Sequence, residues 1–255
     1  MDPTHLTERL QAIEVSALCD ADKSLPVCDP AIRAMVPGVR FAGPALTVTA
    51  ADDHLPTFAA LAEAGPGEVL VIATGGGRLA VLGELFATEA RRRGLAGVVI
   101  DGFCRDVHGL RELGLPVFAR GTIPASGTTV SRAPLRAPVR FGGVDVTPGD
   151  IVFGDDDGIV IAPAAQIEAA LEPAETIAAK ERAMLEAMGR GEALHDQTNF
   201  AEHVAALDDG RTSSLGFTID VHARCGAGCS PSGRGCAEAR SSRRSWPACP
   251  TACSR

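Results

Sequence analysis

Two short apolar runs, with a glycine turn and a helical stretch between them, limit the fold more than any other feature of this chain. Val69-Leu-Val-Ile72 leads into Ala73-Thr-Gly-Gly-Gly77, Leu79–Arg93 has helical character, and Gly97-Val-Val-Ile100 is a second apolar run. Apolar runs this short, bounded by turn signals, read as buried strands. Strand, glycine turn, helix and strand in succession predict consecutive β–α–β units, and therefore an α/β protein. In such folds ligands collect at the carboxyl ends of strands. The second run stops at Asp101-Gly102, and Arg105-Asp106 follow.

That pair has a specific chemistry. A guanidinium grips a carboxylate through two parallel hydrogen bonds, and a carboxylate holds a hard divalent cation through oxygen. Side by side they suit a small, anionic, metal-chelating substrate such as a 2-keto acid. Taken alone, an Arg-Asp pair also reads as a surface ion pair. The glycine turn lets backbone N–H groups approach an anion. It is no Walker loop, because no Gly-Lys-Ser/Thr follows, and it lacks Gly-x-Gly-x-x-Gly spacing. Gly83-Glu84-Leu85 lies further along, and twenty residues, one helix plus one strand, separate Glu84 from Arg105. Consecutive β–α–β units could therefore return Arg105 and Asp106 close to Glu84.

The remaining pattern extends this picture. Thr4–Ala21 reads as an amphipathic helix, with Ser16 as the N-cap of a second helix start. Val39–Ala50 alternates as a strand, and His54–Ala64 is a helix ended by Gly65-Pro66-Gly67. Arg105–Leu113 predicts a short helix and Pro116–Arg120 a strand. Short β segments fill 138–162, and Ala164–Arg190 is a long closing helix. Asp155-Asp156-Asp157-Gly158 lacks the alternating spacing of a calcium loop and reads as a hairpin turn. His108 reads as a helix-surface residue, and His54 and His195 show no partner pattern.

Composition narrows the function classes. The chain has 255 residues and a net charge of −8. Residues 222–255 hold six Arg against one Glu, about +5, which leaves about −13 on the remainder. An acidic body argues against direct nucleic-acid binding. No apolar run approaches the length needed to span a bilayer, and no basic-then-apolar leader opens the chain, so a cytoplasmic protein is expected. The two lysines, Lys23 and Lys180, lie in charged segments, which disfavours imine catalysis. Periodicity fades after Leu207. Cys225, Cys229, Cys236, Cys249 and Cys253 fall in an Arg-, Ser- and Gly-rich stretch. Their three-residue gaps depart from the usual zinc spacing. The division expected is a folded body over 1–207 and a disordered tail over 208–255. Cys19, Cys28 and Cys104 in the body read as reduced thiols.

An acidic residue, twenty residues, then Arg-Asp, set in Gly-Leu-Ala-Gly-Val-Val-Ile-Asp-Gly, resembles the RraA-like family. Val36-Pro-Gly38, Gly43-Pro-Ala-Leu-Thr-Val48, Leu113–Arg120 and Gly154–Pro163 extend the resemblance over about 10–204. The family includes metal-dependent (class II) 4-hydroxy-4-methyl-2-oxoglutarate aldolases and the regulator of ribonuclease E activity. The resemblance implies a swivelling β/β/α domain with a central mixed sheet flanked by helices. It implies a divalent cation, Mg²⁺ or Mn²⁺, held directly by Asp106 and through water by Glu84, a position more often Asp. Arg105 would hold the substrate carboxylate, joined by the Leu85 N–H and the loop ending at Gly83. Glu181 would enter from a neighbouring subunit, so a homotrimer or a hexamer of two trimers is implied. Asp20 would lie near the outer shell of the metal. The implied chemistry is cleavage of 4-hydroxy-2-oxo acids to pyruvate, with oxaloacetate decarboxylation beside it, through a stabilised enolate. The alternative it leaves open is a non-catalytic regulator that binds a ribonuclease or another partner.

Overall fold

The computed structural model describes residues 3–218. In chain order the elements are α1 (Pro3–Leu10), α2 (Val15–Ala21), β1 (Arg33–Ala34), β2 (Phe41–Thr49), α3 (Leu55–Glu63), β3 (Val69–Ala73), α4 (Glu84–Arg92) and β4 (Gly97–Cys104). Next come α5 (Val107–Leu113), β5 (Val117–Thr122), β6 (Val139–Phe141), β7 (Val144–Val146), β8 (Ile151–Asp155) and β9 (Gly158–Ala162). The long α6 (Ala164–Gly189), a 3₁₀ turn (Leu194–Gln197) and α7 (Phe200–Asp208) complete the described chain.

The sheet is mixed, as expected, with the order β1-β5-β4-β3-β2-β8-β9. Strands β2, β3, β4 and β5 run parallel, so their carboxyl ends share one edge. Every residue of β3 is buried, which suits a central strand covered on both faces. Strand β2 changes partners along its length: Phe41–Pro44 pairs antiparallel with β8, and Ala45–Thr49 pairs parallel with β3. At that switch a side chain on Gly43 would meet the Gly67 carbonyl at 2.1 Å, so the close approach requires glycine. The segment 26–34 then bridges the outer strands. Cys28 N–H donates to the Ile159 carbonyl of β9, and Arg33–Ala34 pairs with β5, so the sheet nearly closes on itself. Helices α3, α4 and α5 pack on the face that buries Leu46, Leu70, Ile72 and Ile100, whereas α1, α2 and α6 cover the β8–β9 end.

Three boundaries differ from the sequence expectation, each for a tertiary reason. The first helix is broken: α1 ends at Leu10 and α2 starts at Val15, capped at Glu14 and not at Ser16. The free N–H of Val15 goes instead to Asp155 Oδ2, at 2.9 Å, from a strand 140 residues away. The helix expected over Leu79–Arg93 begins only at Glu84. Asp52 Oδ1 accepts the Arg78 and Leu79 N–H groups, and Ala80 bridges Phe103 and Ser126, which holds this stretch extended. The strand expected to end at Ile100 continues to Cys104 through a bulge between Ile100 and Phe103.

The Asp155–Gly158 run is the β8–β9 hairpin turn expected. Residues 211–218 fold back on the end of the 3₁₀ turn, with Thr218 N–H donating to Gln197 O and Asn199 N–H to Gly216 O. The five cysteines from Cys225 to Cys253 lie outside the described residues.

Candidate active site at the end of the parallel strands

The bulge in β4 re-aims the residues after it, which is what such insertions do at sheet rims. Gly102 makes it possible: a side chain there would lie 2.5 Å from the Thr74 methyl. Thr74 is itself buried, and its hydroxyl donates to the Asp101 carbonyl at 2.6 Å. Arg105 N–H then donates to the Leu82 carbonyl at 3.0 Å, which ties the strand end to the loop before α4. Asp106 follows in the left-handed region (φ 59°, ψ 39°), a conformation Asp tolerates better than most residues and a mark of a constrained position.

This backbone turns the Asp106 carboxylate across to another helix. Its Oδ2 accepts the Glu84 N–H at 3.2 Å and lies 3.4 Å from Arg105 Nε. Gly83 is the N-cap of α4 and lies directly beneath: a side chain there would meet Asp106 Oδ2 at 2.5 Å and Arg105 Cγ at 3.1 Å. Gly109 plays the same part on α5, where an added side chain would meet Glu84 Oε2 at 2.3 Å. Two glycines thus make room for two carboxylates.

The resulting cleft of about 180 Å³ is lined by His54, Ala80, Val81, Leu82, Gly83, Leu85, Phe86, Arg105, Asp106 and Ser126. The first turn of α4 lines it through Leu85 and Phe86, whose N–H groups have no acceptor within the helix. Helix N-termini favour anions, and the guanidinium of Arg105 lies beside this one. The loops after β2 and β5 close the other side. Asp53 fastens them, accepting from Leu55 N–H, Val130 N–H, Ser131 N–H and the Thr128 hydroxyl at 2.6–2.9 Å. Burial pushes the Asp53 carboxyl up, but these four donors outweigh it and hold it well below the usual carboxylate range. His54 follows directly, its ring edge-on to Phe86 with centroids 5.6 Å apart. Cys104 is buried, and that burial pushes its thiol up to about 11, so it is no nucleophile.

Of the residues singled out in the sequence, Gly83, Leu85, Arg105 and Asp106 line one cleft. Glu84 brings its backbone N–H to Asp106 and lays its side chain over α5. Asp20 and Glu181 do not line the cleft: Asp20 pairs with Lys23 on the surface, and Glu181 is on α6. His108 is exposed beside Glu112. His54, Phe86 and Ser126 were not anticipated. His54 could have been, because it follows β2 as Arg105 follows β4, at the same sheet edge.

The donor set fits a hard divalent cation that keeps most of its water. Asp106 Oδ1 and the Glu84 carboxylate accept no hydrogen bond among the described residues. No group of three His, Cys, Asp or Glu side chains that could hold a metal occurs there either. One or two carboxylates with water completing the shell is the habit of Mg²⁺, and a fully protein-ligated zinc site would need more.

Comparison with known proteins agrees with the fold. The RraA-like family model, described as Aldolase/RraA, matches residues 15–161. A Halalkalibacterium halodurans protein, provisionally named a 4-hydroxy-4-methyl-2-oxoglutarate aldolase, is 34% identical over 168 residues, 65% of this chain and 80% of that relative. The structure of the RNA-processing inhibitor RraA from Thermus thermophilis superposes with a TM-score of 0.55 at 30% identity, over 59% of this chain and 92% of that one. An uncharacterized protein from Pseudomonas syringae pv. tomato superposes with a TM-score of 0.66 at 25% identity, over 76% of this chain and 96% of the other. The chain belongs to the RraA-like family.

Proposed function

We propose that this protein is a divalent-metal-dependent carbon–carbon lyase acting on 2-keto acids. The reaction is of the 4-hydroxy-4-methyl-2-oxoglutarate aldolase type, with oxaloacetate decarboxylation as a side activity. The observation that carries this reading is the joint placement of Arg105, the Asp106 carboxylate and the first turn of α4 around one cleft. Mg²⁺ or Mn²⁺, held by Asp106 and through water by Glu84, would supply Lewis-acid polarisation of the substrate's keto oxygen.

The residues of the chain perform the rest. Arg105 and the Leu85 and Phe86 N–H groups hold the substrate's C1 carboxylate and fix its orientation. The C3–C4 bond breaks as the C4 hydroxyl loses its proton. The electron pair of that bond passes to C3, which takes up a proton to give pyruvate, and C4 leaves as a carbonyl. His54 and the Ser126 hydroxyl line the cleft and can carry a proton at those atoms. Glu181, supplied by a neighbouring copy in a homotrimer or a hexamer of two trimers, is a further proton acceptor. Neither lysine lines the cleft, so no imine forms. No helix among the described residues is long and apolar enough to cross a membrane. The cytoplasm suits a pathway enzyme with buried, reduced Cys28 and Cys104.

The structural likeness to the Thermus inhibitor supports a second reading, a non-catalytic regulator that binds a protein partner. Pyruvate release from 4-hydroxy-4-methyl-2-oxoglutarate and from oxaloacetate, with Mg²⁺ and with EDTA, separates the two. The lyase reading expects metal-dependent turnover that Asp106→Ala abolishes. Folded protein that turns over neither substrate with metal present would favour the regulator.

A further inference from the structure

Three of the residues lining the cleft carry side-chain N–H or O–H groups: Arg105, His54 and Ser126. Arg105 serves the carboxylate at the reacting end. The other two belong to the wall made by the loops after β2 and β5. Strands β4 and β2, which lead to Arg105 and to His54, have only β3 between them in the sheet. Two strand spacings are about 10 Å. A five-carbon diacid that accepts a hydrogen bond at either end spans about the same distance. At about 180 Å³ the cleft is small. Pockets for drug-sized ligands begin at roughly 300 Å³, so both ends of such a diacid would meet the walls here.

The wall holds His54 firmly and leaves its ring unused. His54 stands at the N-cap of α3, yet its side chain makes no capping hydrogen bond. Its N–H donates to the Thr128 carbonyl at 2.9 Å, and its carbonyl accepts from Phe58 N–H at 3.0 Å. Thr128 N–H returns to the Asp52 carbonyl at 2.9 Å, and Gly127 N–H goes to the Ala80 carbonyl at 3.0 Å. A side chain on Gly127 would meet the Asp52 carbonyl at 2.4 Å, so the loops close only on glycine. The His54 ring packs on Phe86, and neither ring nitrogen has a hydrogen-bond or ion-pair partner among the described residues. His108 and His195, by contrast, each face a carboxylate, Glu112 and Asp196. The two carboxylates preceding His54 are committed elsewhere, Asp53 to its four donors and Asp52 to the Arg78 and Leu79 N–H groups. An imidazole donates an N–H in either protonation state, and a donor fixed by its surroundings is the kind that selects a ligand.

We infer that His54 is the specificity-determining residue of the cleft, and that its ring N–H donates to a second carboxylate at the far end of the substrate. The substrate is then a dicarboxylic 2-keto acid, gripped at C1 by Arg105 and at C5 by His54. The reaction rests on the lyase reading of the cleft; the assignment to His54 rests on the wall.

The test is calorimetric titration of the full-length protein, with Mg²⁺, by 2-oxoglutarate and by 2-oxopentanoate. Both have five carbons and the same chelating 2-keto carboxylate, and they differ only in a carboxylate or a methyl group at C5. Neither has a 4-hydroxyl or a β-carboxylate to lose, so neither is cleaved. The expected result is 2-oxoglutarate binding about tenfold more tightly, the worth of one hydrogen bond to a charged group. His54→Ala should bring the two to parity while 2-oxopentanoate binds as before. His54→Gln, whose amide still donates, should keep more of the difference than His54→Ala does. Parity or a monoacid preference in the wild type would overturn the inference, as would binding of neither ligand. An advantage that both variants leave intact would overturn it too, giving the second carboxylate to another group, one from a neighbouring copy included. Equal weakening of both ligands by both variants would leave His54 a structural part only, and would overturn it as well. Oxaloacetate turnover under the same conditions keeps the two ideas apart. Turnover without the diacid preference sinks the His54 assignment alone, whereas loss of binding and turnover together sinks the lyase reading as well.

Discussion

The carboxylate of Asp106 caps a helix to which it does not belong, its Oδ2 accepting the backbone N–H of Glu84 at the first residue of α4. This contact joins the end of β4 to the start of α4, and it sets the distance between the charged pair and the first turn of that helix. Asp106 and Arg105 are each more than two-fifths exposed, so their mutual ion pair contributes little to stability. Under the proposed function, their placement serves a ligand.

Gly83 is the tightest point of this arrangement. Gly83→Ala puts a methyl group 2.5 Å from Asp106 Oδ2, and the carboxylate has to move. Displacements of this size at a reacting centre cost about 10²-fold in rate. Steady-state kinetics on oxaloacetate should show that loss while far-UV circular dichroism stays that of the wild type.

Gly109 separates helix stability from function. Alanine within a helix is worth about 1 kcal/mol over glycine, so Gly109→Ala should raise the unfolding midpoint in urea or leave it level. The same methyl group pushes the Glu84 side chain off α5, since Oε2 lies 2.3 Å from its position. If Glu84 holds the metal through water, the Mg²⁺ concentration for half-maximal activity should rise about tenfold, as for other outer-shell ligands. Unchanged metal dependence would remove Glu84 from the site.

These positions show how much was legible in the sequence. The strands β3 and β4 and the Arg-Asp pair could be read because apolar runs and charged pairs are local. The twenty-residue return from Glu84 to Arg105 could be read because a β–α–β unit has a nearly fixed span. The late start of α4 could not, because it is set by Asp52, twenty-six residues before Arg78. Nor could the break before Val15, whose partner Asp155 is supplied by the β8–β9 hairpin. Gly109 looked like an ordinary helix residue, and its role appears only when Glu84 is laid against it.

Asp53 makes the stability of the cleft wall depend on pH. Its folded pKa lies below the unfolded value of about 3.9. The stabilisation it contributes is therefore present in full above about pH 4 and is lost as pH falls through the folded pKa. Asp53→Asn should unfold at lower urea than the wild type at pH 7, and the two midpoints should converge as pH falls towards 2. Midpoints that run parallel across that range would show that the charge on Asp53 has no part in holding Thr128, Val130 and Ser131.

The most direct test of the site is Mn²⁺ binding followed by electron paramagnetic resonance, for the wild type and for Asp106→Asn. Asparagine keeps an oxygen for the Glu84 N–H, tolerates the left-handed backbone and removes only the charge. If Asp106 is the direct metal ligand, the wild type binds one Mn²⁺ per chain, and Asp106→Asn loses that binding together with oxaloacetate turnover. Mn²⁺ bound equally well by the Asn variant would contradict it, and would place the metal, and the chemistry that depends on it, elsewhere in the molecule.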